Sequence, residues 1–545
     1  MPTGRQEASR KVLSEGLEPP ITGSKPVVIS ISLRERDAYN VTTFLFFFKF
    51  HFIGNSARIE KMIEVPEEVA QIGSQLTNKG FQAYLVGGCV RDSLLKINPT
   101  DWDIATDASP EEIQTVFPDS VYENDFGTVL VKTGSADPKL HTVEVTTFRE
   151  EGHYTDKRRP DRVIFTKNIE ADLARRDFTV NAIGYDLGNK KIVDPFDGQK
   201  DIKNKILRAV GEPEKRFAED ALRLMRAVRI HAQLGFSIEI KTRAAIQKNA
   251  RHLSRIAKER IRDEFARLMM TDHAPMAMVE MEELNLLEQV IPELREGIRV
   301  GQNKHHVFTV FEHNIRSLEY AVKKDFSLEV RLAALMHDIA KPRTKRGEGE
   351  NSTFYGHQVV GARMAKKILE RLCFSKKTID QVTLLIREHM FVYDPEAVTL
   401  KGVRRLLQRV GRENMDDLFR LREADRIGSG VPKAQPYRLR HLKAMVEKVQ
   451  NDPIGPKMLK IDGTKIMEIL NIKPGPKVGM MLSVLLEETL DDPGMNTEKK
   501  LEKRLKELNE LPESELKAMM LKAKKSAAAA QERIDKEIKD KYFVK

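Results

Sequence analysis

The sequence predicts an α+β fold, in which a mixed α/β head is followed by an all-helical region. Between residues 62 and 204, short strand-like segments interleave with segments of helical spacing, which is the pattern of an α/β unit. From about residue 205 nearly to the C-terminus, apolar positions recur every three or four residues, as in amphipathic helices. With 545 residues the chain exceeds what one hydrophobic core supports, so we expect several domains.

Local patterns define the elements of the head. Residues 66–80 have helical spacing and end in glycine, so we expect a helix there. Residues 81–88, "FQAYLVGG", predict a short apolar strand that runs into a glycine turn. Residues 101–106 and 141–149 alternate in polarity as strands do. The polar stretch 149–161 lacks a core pattern and is expected to be a mobile surface loop.

Composition restricts the partner and the compartment. Charged residues make up 32% of the chain and hydrophobic residues 41%, which fits a globular protein rather than a disordered one. The formal net charge of +11 favours a polyanionic partner such as nucleic acid. The two cysteines, Cys89 and Cys373, form no disulfide framework, so a reducing compartment such as the cytoplasm is expected. The apolar run 44–52 is too short to span a bilayer, so we expect no membrane partner.

Breaks in these patterns divide the chain into six expected segments. Residues 1–58 show no steady period, whereas Met62 precedes a well-patterned helix and is the more natural start. Turn-rich residues 191–202 predict a hinge, and "NIKPGPKVG" at 471–479 predicts a boundary. The segments are a poorly ordered leader or targeting peptide (1–61), the head (62–204), a helical neck (205–300), a second helical domain (301–435), a helical tail (436–512) and a charged helical extension (513–545).

A phosphate-binding turn is predicted where the strand at 81–88 ends. Gly87 and Gly88 lack Cβ atoms, so their backbone N–H groups can approach a ligand closely. Phosphate oxygens fit such a turn. Arg91 follows on the next turn of the chain and can add positive charge to a triphosphate. We therefore expect these three residues to bind a nucleotide.

Two acidic residues follow in "DWDIAT". The strand period of two places Asp101 and Asp103 on one face, with Trp102 on the other. Adjacent carboxylates repel unless a cation lies between them, and Mg²⁺ prefers carboxylates together with substrate phosphates. Two-metal phosphoryl transfer uses a further acid, for which Glu144 in an apolar strand is the candidate. The alternative is that the two aspartates only cap a turn.

Two more motifs narrow the class of protein. Together with "GGCVRD" and "DWD", the stretches "RRDFTVNA" (175–182) and "EDALRLMR" (219–226) resemble the motif set of class II tRNA nucleotidyltransferases and bacterial poly(A) polymerases. The stretches "GGCVRD" and "DWD" also resemble the nucleotidyltransferase superfamily, whose members include DNA polymerase β. The resemblance therefore implies a polymerase β-like nucleotidyltransferase head. The resemblance runs from about residue 80 to residue 430 and, more weakly, to about residue 510.

The resemblance implies roles for individual residues. Arg175, Arg176 and Asp177 would contact the sugar and phosphates of the incoming nucleotide, while Asp220 and Arg223 would read its base. The chemistry agrees, because guanidinium groups donate to phosphate and a carboxylate accepts from ribose hydroxyls. For Arg176 the alternative is a surface salt bridge.

Spacing supports the base-reading role. Asp220 and Arg223 lie three residues apart, which places both on one face of a predicted helix. A carboxylate accepts from the exocyclic amine that cytosine and adenine share, whereas uracil presents a carbonyl there. Arg226 and Arg229 continue the stripe and are expected to reach phosphates. Without the other motifs, the stripe would be an ordinary basic helix face. In the family, the stretch 149–161 would be a flexible loop near this site.

A third set of residues lies in the second helical domain, which resembles the HD domain, a helical metal-dependent phosphohydrolase fold. Histidine and aspartate together suit a divalent metal. The candidate ligands are His313, His337, Asp338, His357, His389 and Asp425. Related tRNA nucleotidyltransferases carry this domain either with 2′,3′-cyclic phosphodiesterase or phosphatase activity, or in a degenerate form that helps to shape RNA binding.

The resemblance implies template-independent addition of CCA to tRNA 3′ ends from CTP and ATP, with Mg²⁺ in the head and a second divalent metal in the HD domain. Lysines within 468–504 would contact tRNA phosphates. Three alternatives stay open: a poly(A) polymerase acting on RNA 3′ ends, an enzyme that adds only CC or only A, and an HD phosphohydrolase whose head only binds RNA. The sequence makes no prediction of oligomeric state.

Overall fold

The structure is a computed structural model that describes residues 63–124, 127–151, 163–302, 308–391 and 393–522. The chain divides into two units, Met1–Glu60 and Lys61–Lys545, and the described residues all belong to the second. The predicted leader lies outside the described residues, as do most of the predicted surface loop and the last part of the charged extension. Throughout the described ranges, the helices are too short or too polar to cross a lipid bilayer.

The head is built on a seven-stranded mixed sheet. The strands of the head are β1 (Ala83–Val86), β2 (Asp103–Thr106), β3 (Val121–Asn124), β4 (Thr128–Lys132), β5 (Thr142–Thr147), β6 (Arg149–Glu151), β7 (Val163–Phe165), β8 (Gly184–Asp186) and β9 (Ile192–Val193). The sheet order is β3-β4-β5-β2-β1-β8-β9, and β6 pairs with β7 in a separate hairpin. Strands β2 and β5 run parallel in the middle of the sheet, whereas the other neighbours are antiparallel.

The described part of the head carries five α-helices against this sheet. They are α1 (Glu67–Asn78), α2 (Gly88–Leu94), α3 (Pro110–Val116), α4 (Ile169–Ala174) and α5 (Gly198–Asn204). The predicted helix at 66–80 and the predicted strands at 81–88 and 141–149 are therefore confirmed. Helix α3 starts with a capping box, in which the Ser109 side chain accepts from the backbone N–H of Glu112.

A buried apolar cluster joins the sheet to α4 and to the start of the neck. Its members share one face of the sheet or the elements that cover it, and burying them removes apolar surface from water. They are Tyr84, Val86, Ala105, Phe148, Ile169, Leu173, Ala182 and Val210. The face of the central strands is thereby closed on one side of the predicted site.

Two predictions for the head need correction. Residues 191–202 are not only turns, because they contain the edge strand β9 and the start of α5, and their role as a hinge stays a prediction. A Cβ atom on Gly198 would lie 2.7 Å from Cγ1 of Ile183, so this segment is closely packed. The stretch 149–161 is not wholly a loop, because its first residues form β6, which pairs with β7.

After residue 205 the described part of the chain is mainly helical, as predicted, and it includes a short parallel pairing of β10 (Ile206–Leu207) with β11 (Ser237–Ile238). The helices before residue 300 are α6 (Pro213–Glu219), α7 (Leu222–Leu234), α8 (Ile240–Asn249), α9 (Lys258–Met269), α10 (Ala274–Glu283), α11 (Leu287–Val290) and α12 (Pro292–Arg295). Then follow α13 (Val310–Lys323), α14 (Leu328–Met336), α15 (Lys341–Thr344), α16 (His357–Arg371), α17 (Lys376–Glu388), α18 (Leu400–Val410) and α19 (Met415–Gly428). The last are α20 (Tyr437–Lys448), α21 (Gly463–Leu470), α22 (Pro476–Asp491) and α23 (Glu498–Glu510), and residues 513–522 are also helical.

Helix α7 is fixed by an apolar stripe. Leu224, Met225 and Val228 are fully buried where α7 packs against α9 and α10. This burial sets the rotation of the helix about its axis. Arg226 and Arg229 consequently face the head and α9, as described below.

The helices of the second helical domain form a bundle. Helix α13 packs against α14 and α19, while α16 packs against α17, which also contacts α14. A capping box of Thr309 and Glu312 starts α13. Further on, the predicted break at 471–479 is confirmed between α21 and α22, and these two helices pack against each other.

Candidate active site and metal centre

Strand pairing brings two predicted acids together. Strands β2 and β5 are parallel neighbours, and Asp103 is paired with Glu144 in their register. Two residues that lie far apart in sequence therefore sit side by side on adjacent strands.

The glycine turn lies against Asp103. Gly87 has a φ of 81°, in the left-handed region that glycine adopts without strain. A Cβ atom at this position would lie 3.5 Å from Oδ2 of Asp103 and 2.9 Å from Nη1 of Arg176. Gly88 follows as the first residue of α2. Gly87, Asp103 and Arg176 thus border one small space.

Asp101 reaches this area by a different route from the one predicted. Strand β2 begins at Asp103, so Asp101 precedes the strand and is exposed. The predicted strand position of Asp101 is therefore wrong, whereas its placement on one face with Asp103 stays a prediction. Its negative charge nevertheless acts on both Asp103 and Glu144. Trp102, between the two aspartates, is buried.

Mutual repulsion among these carboxylates indicates a cation site. Burial, Glu144 and Asp101 raise the pKa of Asp103 to about 7, against the opposing effect of Arg176. Burial, Glu123 and Asp101 likewise raise the pKa of Glu144. Carboxylates that destabilise each other's charge are suited to a divalent cation. Sequence reasoning missed Glu123, because its approach to Glu144 depends on the register of β3, β4 and β5.

Arg91 lies at the glycine turn, where a Cβ atom on Gly88 would be 3.6 Å from its Nη2. Its side chain is buried, with 5% of the residue exposed. Nε donates to Oδ1 of Asp92 at 2.8 Å, and Nη1 donates to Oδ1 of Asn181 at 2.6 Å. The role of Arg91 toward a triphosphate stays a prediction, since its guanidinium lies at the turn but is held by these two acceptors. Arg176, two residues after the end of α4, lies at the same turn beside Gly87.

The two arginines of "RRD" share one carboxylate. Asp172 in α4 is fully buried and accepts from Nε of Arg175 at 2.8 Å and from Nη2 of Arg176 at 3.4 Å. Burial acts to raise the pKa of Asp172, but Arg175 and Arg176 outweigh it and lower that pKa. Asp172 was not predicted, although its spacing of three and four residues from the arginines is the signal of a helical ion pair.

A buried hydrogen-bond network joins the head to the neck. Arg91 donates to Asn181, whose Nδ2 donates to Oδ1 of Asp177 at 3.2 Å. Nε of Arg226, on α7, donates to Oδ2 of Asp177 at 2.7 Å. Asn181 and Asp177 are each 7% exposed. These four residues are called the Arg91–Arg226 network below.

Helix α9 holds the far end of the basic stripe. Oε2 of Glu264 accepts from Nε of Arg229 at 2.6 Å, and Oε1 lies 4.0 Å from Nη1 of Arg226. Both predicted phosphate ligands on α7 therefore form ion pairs within the protein. The side chain of Arg226 is 36% exposed, whereas that of Arg229 is 14% exposed, so Arg226 is the more accessible of the two.

Asp220 and Arg223 do not share a helix face, which corrects the prediction. Asp220 lies between α6 and α7 in extended conformation, whereas Arg223 belongs to the first turn of α7. Oδ1 of Asp220 accepts from the backbone N–H of Leu222, and Oδ2 accepts from Nη2 of Arg260, both at 2.9 Å. The two predicted base readers therefore come from consecutive segments of the neck.

Two neck arginines bind main-chain oxygens of the head. Arg216 donates to the carbonyl oxygen of Ala174, and Nη2 of Arg223 donates to that of Arg175 at 3.1 Å. Oε2 of Glu219 accepts from Nη1 of both arginines, at 2.8 and 2.6 Å. Glu219 thereby orients the pair that holds the end of α4.

The six predicted HD residues converge in the helical bundle. One group comprises His313, His337, Asp338 and Asp425, and the second comprises Asp338, His357 and His389. All six residues are buried, and within each group the possible ligand atoms lie within 4.8 Å of one another. Nε2 of His313 lies 3.1 Å from Oδ2 of Asp338, whereas Nε2 of His357 lies 3.2 Å from its Oδ1. Asp338 therefore presents one oxygen to each group.

Backbone hydrogen bonds fix the ring protons of three of these histidines. Nδ1 of His337, His357 and His389 lies 2.9, 2.7 and 2.7 Å from the carbonyl oxygen three residues earlier. Since a carbonyl only accepts, each Nδ1 donates a proton, and each neutral ring presents a lone pair at Nε2.

The lone pairs of His357 and His389 point at each other, with their Nε2 atoms 3.3 Å apart. Nε2 of His313 and Nε2 of His337 lie 2.9 Å apart. Among the described residues, Oδ1 of Asp338 accepts no hydrogen bond although it is buried. A buried set of imidazole nitrogens and carboxylate oxygens with this arrangement fits divalent cations.

Lys341 completes the surroundings of Asp338. Its Nζ lies 2.6 Å from Oδ2 of Asp338 and donates to Oε1 of Gln302 at 2.6 Å. Against the effect of burial, Lys341 and His337 hold the pKa of Asp338 well below its usual value. Sequence reasoning did not select Lys341, although it lies three residues after Asp338 on the same turn of the chain.

Comparison with protein families agrees with this architecture. Residues 83–208 match the poly A polymerase head domain, and residues 235–298 match a domain described as the probable RNA and SrmB-binding site of polymerase A. Residues 310–428 match the HD domain. The first match contains the carboxylate site, and the last contains the histidine groups.

Individual relatives give the same result. The chain is 34% identical over 421 residues to the A-adding tRNA nucleotidyltransferase of Deinococcus radiodurans, a match that covers 74% of this chain and 91% of that relative. It is 45% identical over 234 residues to the CCA-adding enzyme of Lactobacillus helveticus, covering 43% of this chain and 57% of that relative. The chain thus spans 57% of the length of the latter. A crystal structure of the Bacillus stearothermophilus CCA-adding enzyme in complex with CTP superposes with a TM-score of 0.58 at 28% identity, covering 81% and 97% of the two chains.

The fold is that of a nucleotidyltransferase head with an appended HD domain. More particularly, the chain belongs to the family of tRNA nucleotidyltransferases and poly(A) polymerases. The expected family resemblance and the expected fold class are confirmed.

Proposed function

We propose that this chain adds the nucleotides of CCA to tRNA 3′ ends, using CTP and ATP without a template. The observation that carries the proposal is the placement of Asp103 and Glu144 on paired strands beside Gly87 and Arg176. The names of the relatives support it, since CCA-adding and A-adding enzymes are among them.

The residues of the head divide the work of nucleotidyl transfer. Asp101, Asp103 and Glu144 provide the carboxylate oxygens for Mg²⁺, which when bound would lower the pKa of the attacking 3′ hydroxyl and neutralise the leaving pyrophosphate. Arg176 lies at the glycine turn, where its guanidinium can donate to triphosphate oxygens. Gly87 keeps that space clear of a side chain.

Base selection is assigned to Asp220 and Arg223. A carboxylate accepts from the amine of cytosine or adenine, and a guanidinium donates to the neighbouring ring acceptor. Arg223 is held by Glu219 and by the carbonyl oxygen of Arg175, so its position relative to the head is fixed. Asp220 has a 16% exposed side chain, which leaves part of it accessible to a base.

Some of the remaining predicted nucleotide ligands hold other residues in position rather than contacting the nucleotide themselves. Arg175 and Asp177 anchor the segment that carries Arg176, and Arg91 supports that segment through the Arg91–Arg226 network. Arg226 is exposed enough to reach a phosphate while it pairs with Asp177. We retain Arg229 as a phosphate ligand on the same helix.

Incubation of the purified chain with a tRNA transcript lacking CCA tests this proposal. CTP and ATP together should extend the transcript by three nucleotides, and Asp103→Asn should abolish the extension. Addition of A alone to transcripts ending in CC would indicate an A-adding enzyme, and addition of C alone a CC-adding one. Addition of A to any RNA 3′ end would indicate a poly(A) polymerase. Activity that survives Asp103→Asn would overturn the site.

A second activity, metal-dependent phosphohydrolysis, is favoured by a separate observation. Asp338 presents one carboxylate oxygen to each of two buried ligand groups. Divalent cations in such a pair of groups would supply an activated water and stabilise the charge on a phosphoester. The fixed imidazole rings hold the ligand nitrogens in place.

Hydrolysis of bis(p-nitrophenyl) phosphate by the purified chain, loaded in turn with Mn²⁺, Ni²⁺ and Mg²⁺, tests the second activity. We expect turnover that is lost in His337→Ala and retained in Asp103→Asn. The opposite dependence would assign the hydrolysis to the head. Metal binding without hydrolysis would reduce the HD domain to a structural element.

A further inference from the structure

The carboxylate of Asp220 is held by a residue that lies outside the sequence motifs of the head and the neck. Its Oδ2 atom accepts from Nη2 of Arg260 at 2.9 Å, while its Oδ1 atom accepts from the backbone N–H of Leu222 at 2.9 Å. Arg260 belongs to the first turn of α9. Each carboxylate oxygen of Asp220 thus has one donor from the protein, and the two donors come from different helices.

Helix α9 presents Arg260 from a fixed position. The helix packs against α7, and its apolar positions recur every three or four residues, as in an amphipathic helix. Burial of this stripe sets the rotation of α9 about its axis, so the first turn holds Arg260 in one place. The fully buried members of the stripe are Ile261, Phe265, Leu268 and Met269.

A second charged residue of α9 acts on the same part of the neck. Glu264 lies four residues after Arg260, which places both on one side of the helix. Oε2 of Glu264 accepts from Nε of Arg229 on α7 at 2.6 Å. Helix α9 therefore makes two ion pairs of opposite polarity, one with Asp220 just before α7 and one with Arg229 within it.

The ion pair with Arg260 leaves Asp220 able to bind a base. A carboxylate oxygen has two lone pairs, so Oδ2 can accept from Arg260 and from an exocyclic amine together. The side chains of Arg260 and Asp220 are 33% and 16% exposed, so both are partly open to a ligand. Among the described residues, Asp220 is the one acceptor of the Arg260 side chain.

Stability alone does not explain this contact. Ion pairs between partly exposed side chains contribute little to folding, because solvent screens them and two long side chains lose rotamer freedom. Arg262, two residues further along α9, pairs with its neighbour Asp263 and donates to the carbonyl oxygen of Cys373. Arg260 differs from Arg262 because its partner is Asp220, a proposed base reader 40 residues away.

We propose that Arg260 is a specificity-determining residue, which acts by positioning Asp220 for base selection. With Arg260 in place, the carboxylate keeps one orientation toward the amine of cytosine or adenine. Without Arg260, the carboxylate is held through Oδ1 alone and turns more freely about its side-chain torsions. The amine would then lose its acceptor, whereas uracil and guanine, which present a carbonyl oxygen there, would lose nothing. The role of Arg260 rests on the proposed role of Asp220.

Single-nucleotide addition with four triphosphates tests this role. Purified full-length variants receive a tRNA transcript lacking CCA with CTP or UTP, and a transcript ending in CC with ATP or GTP. Arg260→Ala should lower kcat/KM for CTP and for ATP about tenfold, equivalent to about 1.4 kcal/mol, with less than about a twofold change for UTP and GTP. Arg260→Lys keeps a charged donor and should lose less than about threefold.

Arg262→Ala is the matched control. It removes the same charge from the same helix, and the Arg262 side chain is 30% exposed, so all four kcat/KM values should stay unchanged. An equal loss with all four nucleotides in Arg260→Ala would mean a structural role only and would overturn the proposal, as would no loss with any of them. Better use of CTP and ATP would show that Arg260 competes with the base for Asp220, which also overturns it.

Asp220→Ala separates the role of Arg260 from the role on which it rests. Loss of base selectivity in Asp220→Ala but not in Arg260→Ala would reject the role of Arg260 alone. Selectivity retained in Asp220→Ala would reject base reading by Asp220, and the role of Arg260 with it. If Arg260 acts through Asp220, the double variant should be no less selective than Asp220→Ala.

Two outcomes for the wild type change the measurement but not the test. If the chain adds only A, the ratio of kcat/KM for ATP to that for GTP gives the same comparison. If the chain transfers no nucleotide, calorimetry with CTP and with UTP replaces the kinetic assay. Weaker binding of CTP alone in Arg260→Ala would support the role of Arg260 even though the transfer proposal fails, and unchanged CTP affinity would reject it.

Discussion

Replacement of Asn181 by alanine is the sharpest test of the Arg91–Arg226 network. The change removes the oxygen that accepts from Nη1 of Arg91 at 2.6 Å and the nitrogen that donates to Asp177 at 3.2 Å. Arg91 is 5% exposed, so water cannot easily replace the lost acceptor. A hydrogen bond to a charged group contributes about 1.5–3 kcal/mol. We expect the free energy of unfolding to fall by about 2–3 kcal/mol.

The same substitution should weaken nucleotide use without altering base choice. Arg91 belongs to α2, which follows the glycine turn directly, so a displaced Arg91 disturbs the turn rather than the base-reading residues. We expect kcat/KM for CTP and for ATP to fall together by about tenfold, equivalent to about 1.4 kcal/mol. Primer extension at varied nucleotide concentration and urea denaturation provide the two measurements.

Asn189→Ala provides the control for this prediction. Asn189 is an exposed residue of the same head, and its Nδ2 donates to Asp186 at 2.9 Å, so its replacement should cost little stability and no activity. Because Asn181 and Arg226 both contact Asp177, the double variant of these two should show less than additive loss. Unchanged stability of Asn181→Ala, or a loss confined to one nucleotide, would refute the reasoning.

Three further predictions follow from the site geometry. Gly87→Ala should reduce nucleotide addition about tenfold, the loss of roughly one charge-assisted contact, because the new Cβ would displace the Arg176 guanidinium that lies 2.9 Å away. Gly80→Ala, with a similar φ of 87° and open space around it, should cost only the backbone strain of about 1–2 kcal/mol and retain activity. The Asp177 carboxylate has a pKa of about 2, since the ion pair with Arg226 outweighs burial. Its contribution of about 2 kcal/mol to the free energy of unfolding is fully present above pH 4 and is lost as the pH falls toward 2. Asp177→Asn should therefore make stability, measured by thermal unfolding, less dependent on pH in the acid range. Metal analysis by mass spectrometry should show that Asp338→Ala loses all HD-bound metal, whereas His389→Ala loses only part, and equal losses would argue against two ligand groups.

Local patterns predicted the elements that carry the site more successfully than the contacts within it. The strand before Gly87 and the strand around Glu144 could be predicted because each depends on a few neighbouring residues. The position of Asp101 could not, because β2 starts two residues later than the alternation suggests. The hydrogen bond from Arg91 to Asn181 could not be predicted either, because these two residues are 90 positions apart in sequence.

The HD residues illustrate the same distinction. Residue types and order indicated six candidate ligands, and the bundle brings them together. Their division into two groups around Asp338 depends on how α13, α16, α17 and α19 are packed, which no local pattern encodes. Lys341, by contrast, lies three residues from Asp338, so its contact with Asp338 is local and could have been predicted.

Arg216 and Arg223 donate hydrogen bonds to the carbonyl oxygens of Ala174 and Arg175. These contacts have a consequence for how the sequence of the protein can vary. Every amino acid offers the same main-chain oxygen, so the joint does not depend on which side chains the head carries at those positions. A head from a related enzyme would therefore keep these two hydrogen bonds to the neck whatever side chains it carried there, whereas the contact between Asp177 and Arg226 would require that aspartate to be retained.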